Sequence, residues 1–359
     1  MAAILDRRSL LAAAAGGAAL PLIGGKGFAA DPMKVGFLYV GPVGDFGYTH
    51  AHDVARKKLQ DNYGDKIKTS FVENVPEGPD AERVLRQLAQ EGNRLIFATS
   101  FGFMNATAKV AKALPKVYFE HATGYMRGTN LATYNARFYE GRAVIGTIAG
   151  MMSKTGVAGY VASFPIPEVV MGINSFTLAA RKVNPKFQTK VLWLSTWYDP
   201  AKEADAAKAL ADQGADIITQ HTDSPAPLQV SEQKGLHGFG QASDMSAIAP
   251  RAHLTAIVDN WAPYYISRVK AVMDGSWKTG DTWWGLKQDT VQIAPYNAAM
   301  PDNVKKAADD VKNGIIAGTL HPVTGPVKDN KGNEKLKEGE KATDEMLEKM
   351  DWYVEGVQS

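Results

Sequence analysis

Aromatic and acidic side chains recur where predicted strands end, in both halves of the chain. Flat aromatic faces can stack on a planar ring, and carboxylates accept hydrogen bonds from ring N–H groups. Together these residue types predict a site that binds a flat, polar small molecule. The candidate binding residues are Asp45, Tyr48, Phe101, Trp197, Asp223 and Asp244.

Each candidate also has a structural interpretation. Tyr48 and Trp197 could simply close a core, as aromatics near strand ends often do. For Trp197 this is the weaker interpretation, because residues 191–194 of its own strand already supply apolar side chains. Asp223 and Asp244 could be helix caps or loop carboxylates, the commoner role of such residues. The binding hypothesis therefore rests on the whole set.

Other kinds of chemistry lack their motifs. Residues 41–44 (GPVG) follow a strand but lack the spacing of a phosphate-binding loop. Histidines such as His50 and His52 show no HExxH spacing, and there is no Gly-x-Ser-x-Gly motif and no cysteine. Asp199, directly before a predicted helix, is interpreted as its N-cap. We therefore expect no catalytic residue, no metal and no cofactor.

Composition narrows the class of protein. The 359 residues are 45% hydrophobic and suffice for two domains, and the net charge is +2. Because basic and acidic residues are nearly equal in number, the surface offers no electrostatic patch for nucleic acid or anionic lipid. Because bacterial lipoproteins are acylated on a cysteine and the chain has none, we expect a protein free in solution, and a monomer.

Residues 1–30 have the charged, apolar and small-residue regions of a secretory signal. Arg7 and Arg8 precede a weakly apolar run at residues 10–23, which resembles a twin-arginine signal. Ordinary Sec export is the alternative, and a membrane anchor or buried helix is a third interpretation. Cleavage is expected after Ala29 or Ala30, which would release a soluble protein into the periplasm.

Strands and helices alternate through the rest of the chain, and the pattern restarts near residue 139. Two successive series of this kind predict an α/β protein with two open, mostly parallel sheets flanked by helices. Ligands of such sheets lie beyond the carboxyl ends of the strands. Residues 323–342 are predicted to form an exposed loop, and a helix is predicted from Thr343. The strand-like segments are 35–40, 69–72, 95–99, 117–119, 156–162, 190–195, 216–220, 236–240 and 254–258.

Several segments together carry a family resemblance. They are 34–37 (KVGF), 41–48 (GPVGDFGY), 139–143 (YEGRA), 197–200 (WYDP), 213–216 (QGAD) and 260–265 (NWAPYY). With them the chain resembles the basic membrane protein (PnrA-like) family, the substrate-binding proteins of ABC importers. The resemblance implies a binding protein rather than an enzyme, working with a membrane permease and an ATPase.

The same resemblance implies a two-lobed periplasmic-binding-protein fold of type I, with the ligand between the lobes. Lobe 1 is expected to comprise residues 31–140 and about 260–290. Lobe 2 is expected to comprise residues 141–259 and about 291–359. A hinge between them would close on the ligand.

The resemblance also assigns roles within the site. Tyr48 stands where the family has a stacking phenylalanine, and Trp197 where the opposite lobe supplies a second aromatic. A base would lie between them, with Asp223 and Asp244 at polar positions of the second lobe. The lysine that nucleoside binders use near the sugar has no counterpart around residues 259–261. A purine base, adenine or related, is therefore the first choice, a purine nucleoside the second, and a sugar the third.

Replacing Arg7 and Arg8 by lysine tests the export hypothesis. A twin-arginine signal should fail, so precursor should accumulate in the cytoplasm, as measured by fractionation and blotting. Unchanged periplasmic yield would contradict the twin-arginine interpretation and leave Sec export.

Overall fold

The computed structural model describes residues 31–359. The predicted export signal at residues 1–30 lies outside the described residues. Within the described part, no helix is long and apolar enough to cross a membrane.

Strands and helices alternate, as the sequence predicts. The strands of the described residues are β1 (Met33–Leu38), β2 (Ile67–Val72), β3 (Asn93–Ala98), β4 (Tyr118–Ala122), β5 (Leu131–Ala136), β6 (Val157–Ala162), β7 (Gln188–Trp193), β8 (Ile217–His221), β9 (His237–Ala242), β10 (His253–Asp259), β11 (Asp281–Trp284), β12 (Val291–Ile293), β13 (Val327–Lys328), β14 (Glu334–Leu336) and β15 (Val357–Gln358). The helices are α1 (Tyr48–Tyr63), α2 (Pro79–Gln90), α3 (Met104–Ala113), α4 (Phe138–Met152), α5 (Pro167–Val183), α6 (Pro200–Asp212), α7 (Ala226–Lys234), α8 (Ala262–Met273), α9 (Asp302–Ile316) and α10 (Asp344–Glu348).

Two large sheets carry the fold. The first has the strand order β11-β5-β4-β3-β1-β2, and all its neighbours pair in parallel. The second has the order β12-β10-β9-β8-β6-β7-β15, where only β12 runs antiparallel to its neighbour. We call the first sheet, with the helices and loops attached to it, lobe 1. The second sheet, with its helices and loops, is lobe 2.

Burial explains why these segments form strands and helices. Val35 and Phe37 on one face of β1 and Leu38 on the other are fully buried, since helices cover parallel sheets on both faces. Helix α2 is amphipathic and buries a stripe with helical spacing. That stripe consists of Ala81, Val84, Leu85 and Leu88.

The chain passes between the sheets three times, after β5, after β10 and after β11. The helix that follows β10, α8, packs against α1 of lobe 1. Both lobes are therefore built from separated stretches of sequence, and their facing edges contain residues far apart along the chain.

Several elements differ from the sequence prediction. Strands β5, β11, β12 and β15 were not predicted. In β5 only Leu131 and Tyr134 have large apolar side chains, so the segment shows no apolar run. Residues 323–342 are not a wholly exposed loop, since β13 and β14 form a hairpin that buries Val327 and Leu336. The predicted C-terminal helix is short and ends at Glu348.

Candidate ligand-binding site

A small inner cavity lies between the carboxyl ends of the two sheets. Its volume is about 20 Å³, which is room for about one water molecule. Lobe 1 and lobe 2 contribute equally to its walls. The lining residues are Val40, Tyr48, Ser100, Phe101 and Thr123 from lobe 1, and Glu168, Trp197, His221, Asp223 and Gln241 from lobe 2.

A larger outer cavity of about 310 Å³ adjoins the inner one. Phe101, Thr123 and Glu168 line both cavities, so the two form one cleft. Aromatic and charged side chains surround the outer cavity, including Trp283 and Arg127.

Tyr48 is the first residue of α1. Its ring packs edge-on against His52, with ring centroids 4.3 Å apart. Its hydroxyl is buried with no hydrogen-bond partner among the described residues. Gly47 precedes it with φ 88°, and a Cβ atom there would lie 2.2 Å from the Asp223 carbonyl oxygen. A glycine at this position therefore allows the loop of lobe 1 to touch lobe 2.

Trp197 follows β7 and is only partly buried. Its ring lies against Phe164, with centroids 5.1 Å apart, and its indole N–H donates to Glu77 Oε1 at 3.3 Å. The Trp197 carbonyl oxygen accepts the backbone N–H of Asp223 at 3.0 Å. The two loops are thus joined through their backbones, and both side chains line the inner cavity.

Buried acidic groups lie in the cleft and directly behind its lining. Glu168 Oε2 and both carboxylate oxygens of Asp259 are buried without a hydrogen-bond partner among the described residues. The guanidinium group of Arg142 is buried beside them, and it donates to Gln241 Oε1 at 2.5 Å and Thr219 Oγ1 at 3.4 Å. The Nε atom of Arg142 is also buried without a partner among the described residues, so unsatisfied donors and acceptors lie close together here.

The pKa values of the acids reflect this environment. Burial raises the pKa of Asp223 well above its ordinary value, and the nearby charge of Glu203 raises it further, against the lowering effect of the Tyr48 backbone N–H. Burial also raises the pKa of Asp259, and Glu168 adds to this effect while Arg142 opposes it. Ionisation of Asp223 and Asp259 is therefore disfavoured in the ligand-free protein.

His221 lies opposite these acids at the end of β8. Its Nε2 atom is 3.4 Å from Glu168 Oε1, and Nδ1 is buried without a partner among the described residues. Burial lowers the pKa of His221. The neutral ring has one N–H donor and one acceptor, which can complement a heterocycle.

Two predicted candidates do not line either cavity. Asp45 is exposed on the loop before α1. The Asp244 side chain is 42% exposed and 3.7 Å from His253, and it accepts the Ser246 backbone N–H at 2.9 Å. Asp244 is therefore a loop carboxylate, the structural interpretation noted for it above.

Sequence reasoning missed several residues of the cleft, although some follow its own rule. His221 and Asp259 are the last residues of β8 and β10, so the strand-end rule could have found them. Glu168 is the second residue of α5, where an acid commonly serves the helix terminus. Arg142 in the otherwise apolar helix α4 was a signal of a buried polar network.

Comparison with known families decides the identity of the fold. The family of PnrA-like ABC transporter substrate-binding proteins matches residues 33–322. This chain belongs to that family. A purine-binding protein of Brucella abortus is 57% identical over 336 residues, covering 94% of this chain and 96% of that protein. Family members and this relative are substrate-binding proteins, not enzymes.

Two further comparisons are more distant. A Haloferax volcanii protein named for a proposed glucose-binding role in an ABC transporter is 32% identical, covering 91% of this chain and 81% of that protein. A solute-binding protein structure from Aeropyrum pernix superposes with a TM-score of 0.71 at 17% identity, covering 83% of this chain and 93% of that chain. The predicted two-lobed α/β fold is confirmed. As a PnrA-like protein, the chain binds a small molecule and works with a permease and an ATPase.

Asp223→Asn should make the ligand-free protein more stable at pH 7, by about 1–3 °C in melting temperature. The pKa of Asp223 is higher in the folded protein than in the unfolded one. The contribution of this group to folding stability is therefore fully present below about pH 4, and it is lost as the pH rises through the folded pKa. The advantage of the variant should therefore grow from pH 4 to pH 8, as measured by thermal unfolding.

Asp199→Asn is the matched control. Asp199 caps α6 and accepts the Lys202 backbone N–H at 3.1 Å, which together with the Lys202 side chain lowers its pKa. At pH values above its ordinary pKa, the charged Asp199 carboxylate stabilises the folded protein. The Asp199→Asn variant should therefore gain no stability relative to wild type as the pH rises. An Asp223→Asn protein no more stable than wild type would show that the carboxylate is structurally satisfied.

Proposed function

We propose that this protein is the periplasmic receptor of an ABC importer for a purine nucleobase, adenine or a related base. The observation that carries the proposal is an inner cavity lined by the rings of Tyr48 and Trp197 together with the carboxyl groups of Glu168 and Asp223. The 57% identity to a purine-binding protein supports it.

The aromatic walls provide the stacking surfaces. Tyr48 comes from lobe 1 and Trp197 from lobe 2, so a planar ring held between them would contact both lobes. Base–aromatic stacking contributes about 1–3 kcal/mol per base. Since the inner cavity measures about 20 Å³, the two lobes or their side chains must separate to admit the ring.

The polar groups provide selectivity. Adenine presents an exocyclic amine and a ring N–H as donors, and the carboxyl groups of Glu168 and Asp223 line the inner cavity as acceptors. The neutral His221 ring and the Gln241 amide can complement the ring nitrogens that accept. A buried acceptor without a partner costs about 1–3 kcal/mol, so a donor-rich ligand gains where an acceptor-rich one does not.

A purine nucleoside is the second candidate, and the outer cavity favours it. Its volume of about 310 Å³ leaves room for a sugar beside the base. Discrimination against nucleosides must then come from hydrogen bonding, not from the steric clash that a base-shaped site would impose. No lysine is among the residues that line either cavity, which supports the base.

The remaining predictions from the sequence fit this role. We propose export of the mature protein to the periplasm, and we propose that it acts there as a monomer. We also propose that the lobes follow the division at about residues 140, 260 and 290.

Paired calorimetric titrations of adenine and adenosine test the function. Adenine should bind at least tenfold more tightly than adenosine, because ribose hydroxyls buried without partners cost about 1–3 kcal/mol each. Asp223→Asn should weaken adenine binding by about tenfold, because the amide replaces one carboxyl oxygen with an NH₂ group that cannot accept a ring N–H. Glucose is titrated as the third ligand, because a sugar is the third candidate.

Asp199→Asn should bind adenine like wild type, since that carboxylate caps α6 outside the cleft. Equal or tighter binding of adenosine would place the protein among nucleoside receptors. Binding of glucose alone would show that the site recognises sugars.

A further inference from the structure

Glu77, in the loop between β2 and α2, has an unusual set of contacts at the rim of the cleft. Its Oε1 atom accepts the Ser100 hydroxyl at 2.6 Å and the Gly102 backbone N–H at 3.1 Å. The same oxygen accepts the indole N–H of Trp197 at 3.3 Å. One carboxylate oxygen thus receives three donors.

The first two contacts fix a wall of the cleft. Ser100 and Gly102 flank Phe101, which lines both cavities. A Cβ atom on Gly102 would lie 2.1 Å from the Glu77 carboxyl carbon. Because only glycine leaves this space, the carboxylate packs directly against the backbone of the loop that presents Phe101.

The third contact crosses the cleft. Glu77 belongs to lobe 1, whereas Trp197 follows β7 of lobe 2, so their hydrogen bond exists only when the lobes are together. A second bridge, from the Gly47 N–H to Ser243 Oγ at 2.8 Å, lies on another pair of loops. Unlike that bridge, the Glu77 bond also orients a ring that lines the inner cavity.

We propose that Glu77 is a positioning residue that latches the cleft shut by holding the Trp197 ring against lobe 1. The latch rests on the proposed function, since it acts on a ligand enclosed between the lobes. It slows ligand escape, because the lobes must break the bond to Trp197 before they part. It leaves entry unaffected, since the bond is absent while the lobes are apart.

A double-mutant cycle in adenine dissociation kinetics tests the latch. Glu77→Ala should speed dissociation about three- to tenfold, the effect of a hydrogen bond to a partly exposed carboxylate, with association changed less than twofold. In a Trp197→Phe background, which keeps an aromatic face but lacks the N–H, Glu77→Ala should change dissociation less than twofold. Glu77→Gln retains an acceptor and should fall between wild type and Glu77→Ala.

Glu91→Ala is the control for loss of an exposed acid on lobe 1, and it should leave both rates unchanged. Equal acceleration by Glu77→Ala in both Trp197 backgrounds would overturn the latch, because the two residues would then act independently. Slower association with unchanged dissociation in Glu77→Ala would also overturn the latch.

A ligand-free measurement separates this proposal from the proposed function. Trp197→Phe identifies the Trp197 indole N–H signal in the ¹⁵N spectrum. That signal should shift in Glu77→Ala and not in Glu91→Ala. If wild type binds no purine, the function fails while this shift still supports the contact; an unmoved signal rejects the latch whatever the ligand is.

Discussion

The arrangement of the cleft depends on the burial of acidic side chains whose acidic neighbours oppose their ionisation. Asp223 and Asp259 are 7% and 5% exposed, and burial raises the pKa of both. Arg142 is the cation buried beside them, and Gln241 and Thr219 accept its hydrogen bonds. Such burial destabilises the free protein, and of the two acids Asp223 lines the inner cavity, where a ligand can reach it.

The two parallel sheets bring these groups together. Parallel strands place their carboxyl ends at one edge, and here two such edges face each other. His221 arrives at the end of β8 and Asp259 at the end of β10, whereas Tyr48 comes from the opposite lobe. Gly47 lets the loop of lobe 1 approach the Asp223 carbonyl oxygen. Because each lobe supplies half of the inner cavity, ligand binding and lobe closure are physically linked.

Much of the fold could be predicted from the sequence, because most strands are short apolar runs between turns. Strand β5 could not, since only Leu131 and Tyr134 in it have large apolar side chains. Four of the six candidate residues line the inner cavity, because they follow strands whose carboxyl ends meet. Asp45 and Asp244 also follow strands, but neither lines a cavity. The conformation of their loops, which the sequence does not show, determines this. Glu168 could not be singled out, because an acid in the first turn of a helix is already explained by its interaction with the helix N-terminus. Only the packed structure shows that its Oε2 atom is buried without a partner among the described residues.

The most direct test of the account is a crystal structure of the protein with adenine. It should show the base between Tyr48 and Trp197, with its N–H donors within hydrogen-bonding distance, about 2.7–3.2 Å, of Asp223 and Glu168. Adenine bound only outside the cleft, or inside it with its donors turned away from both carboxyl groups, would contradict the account.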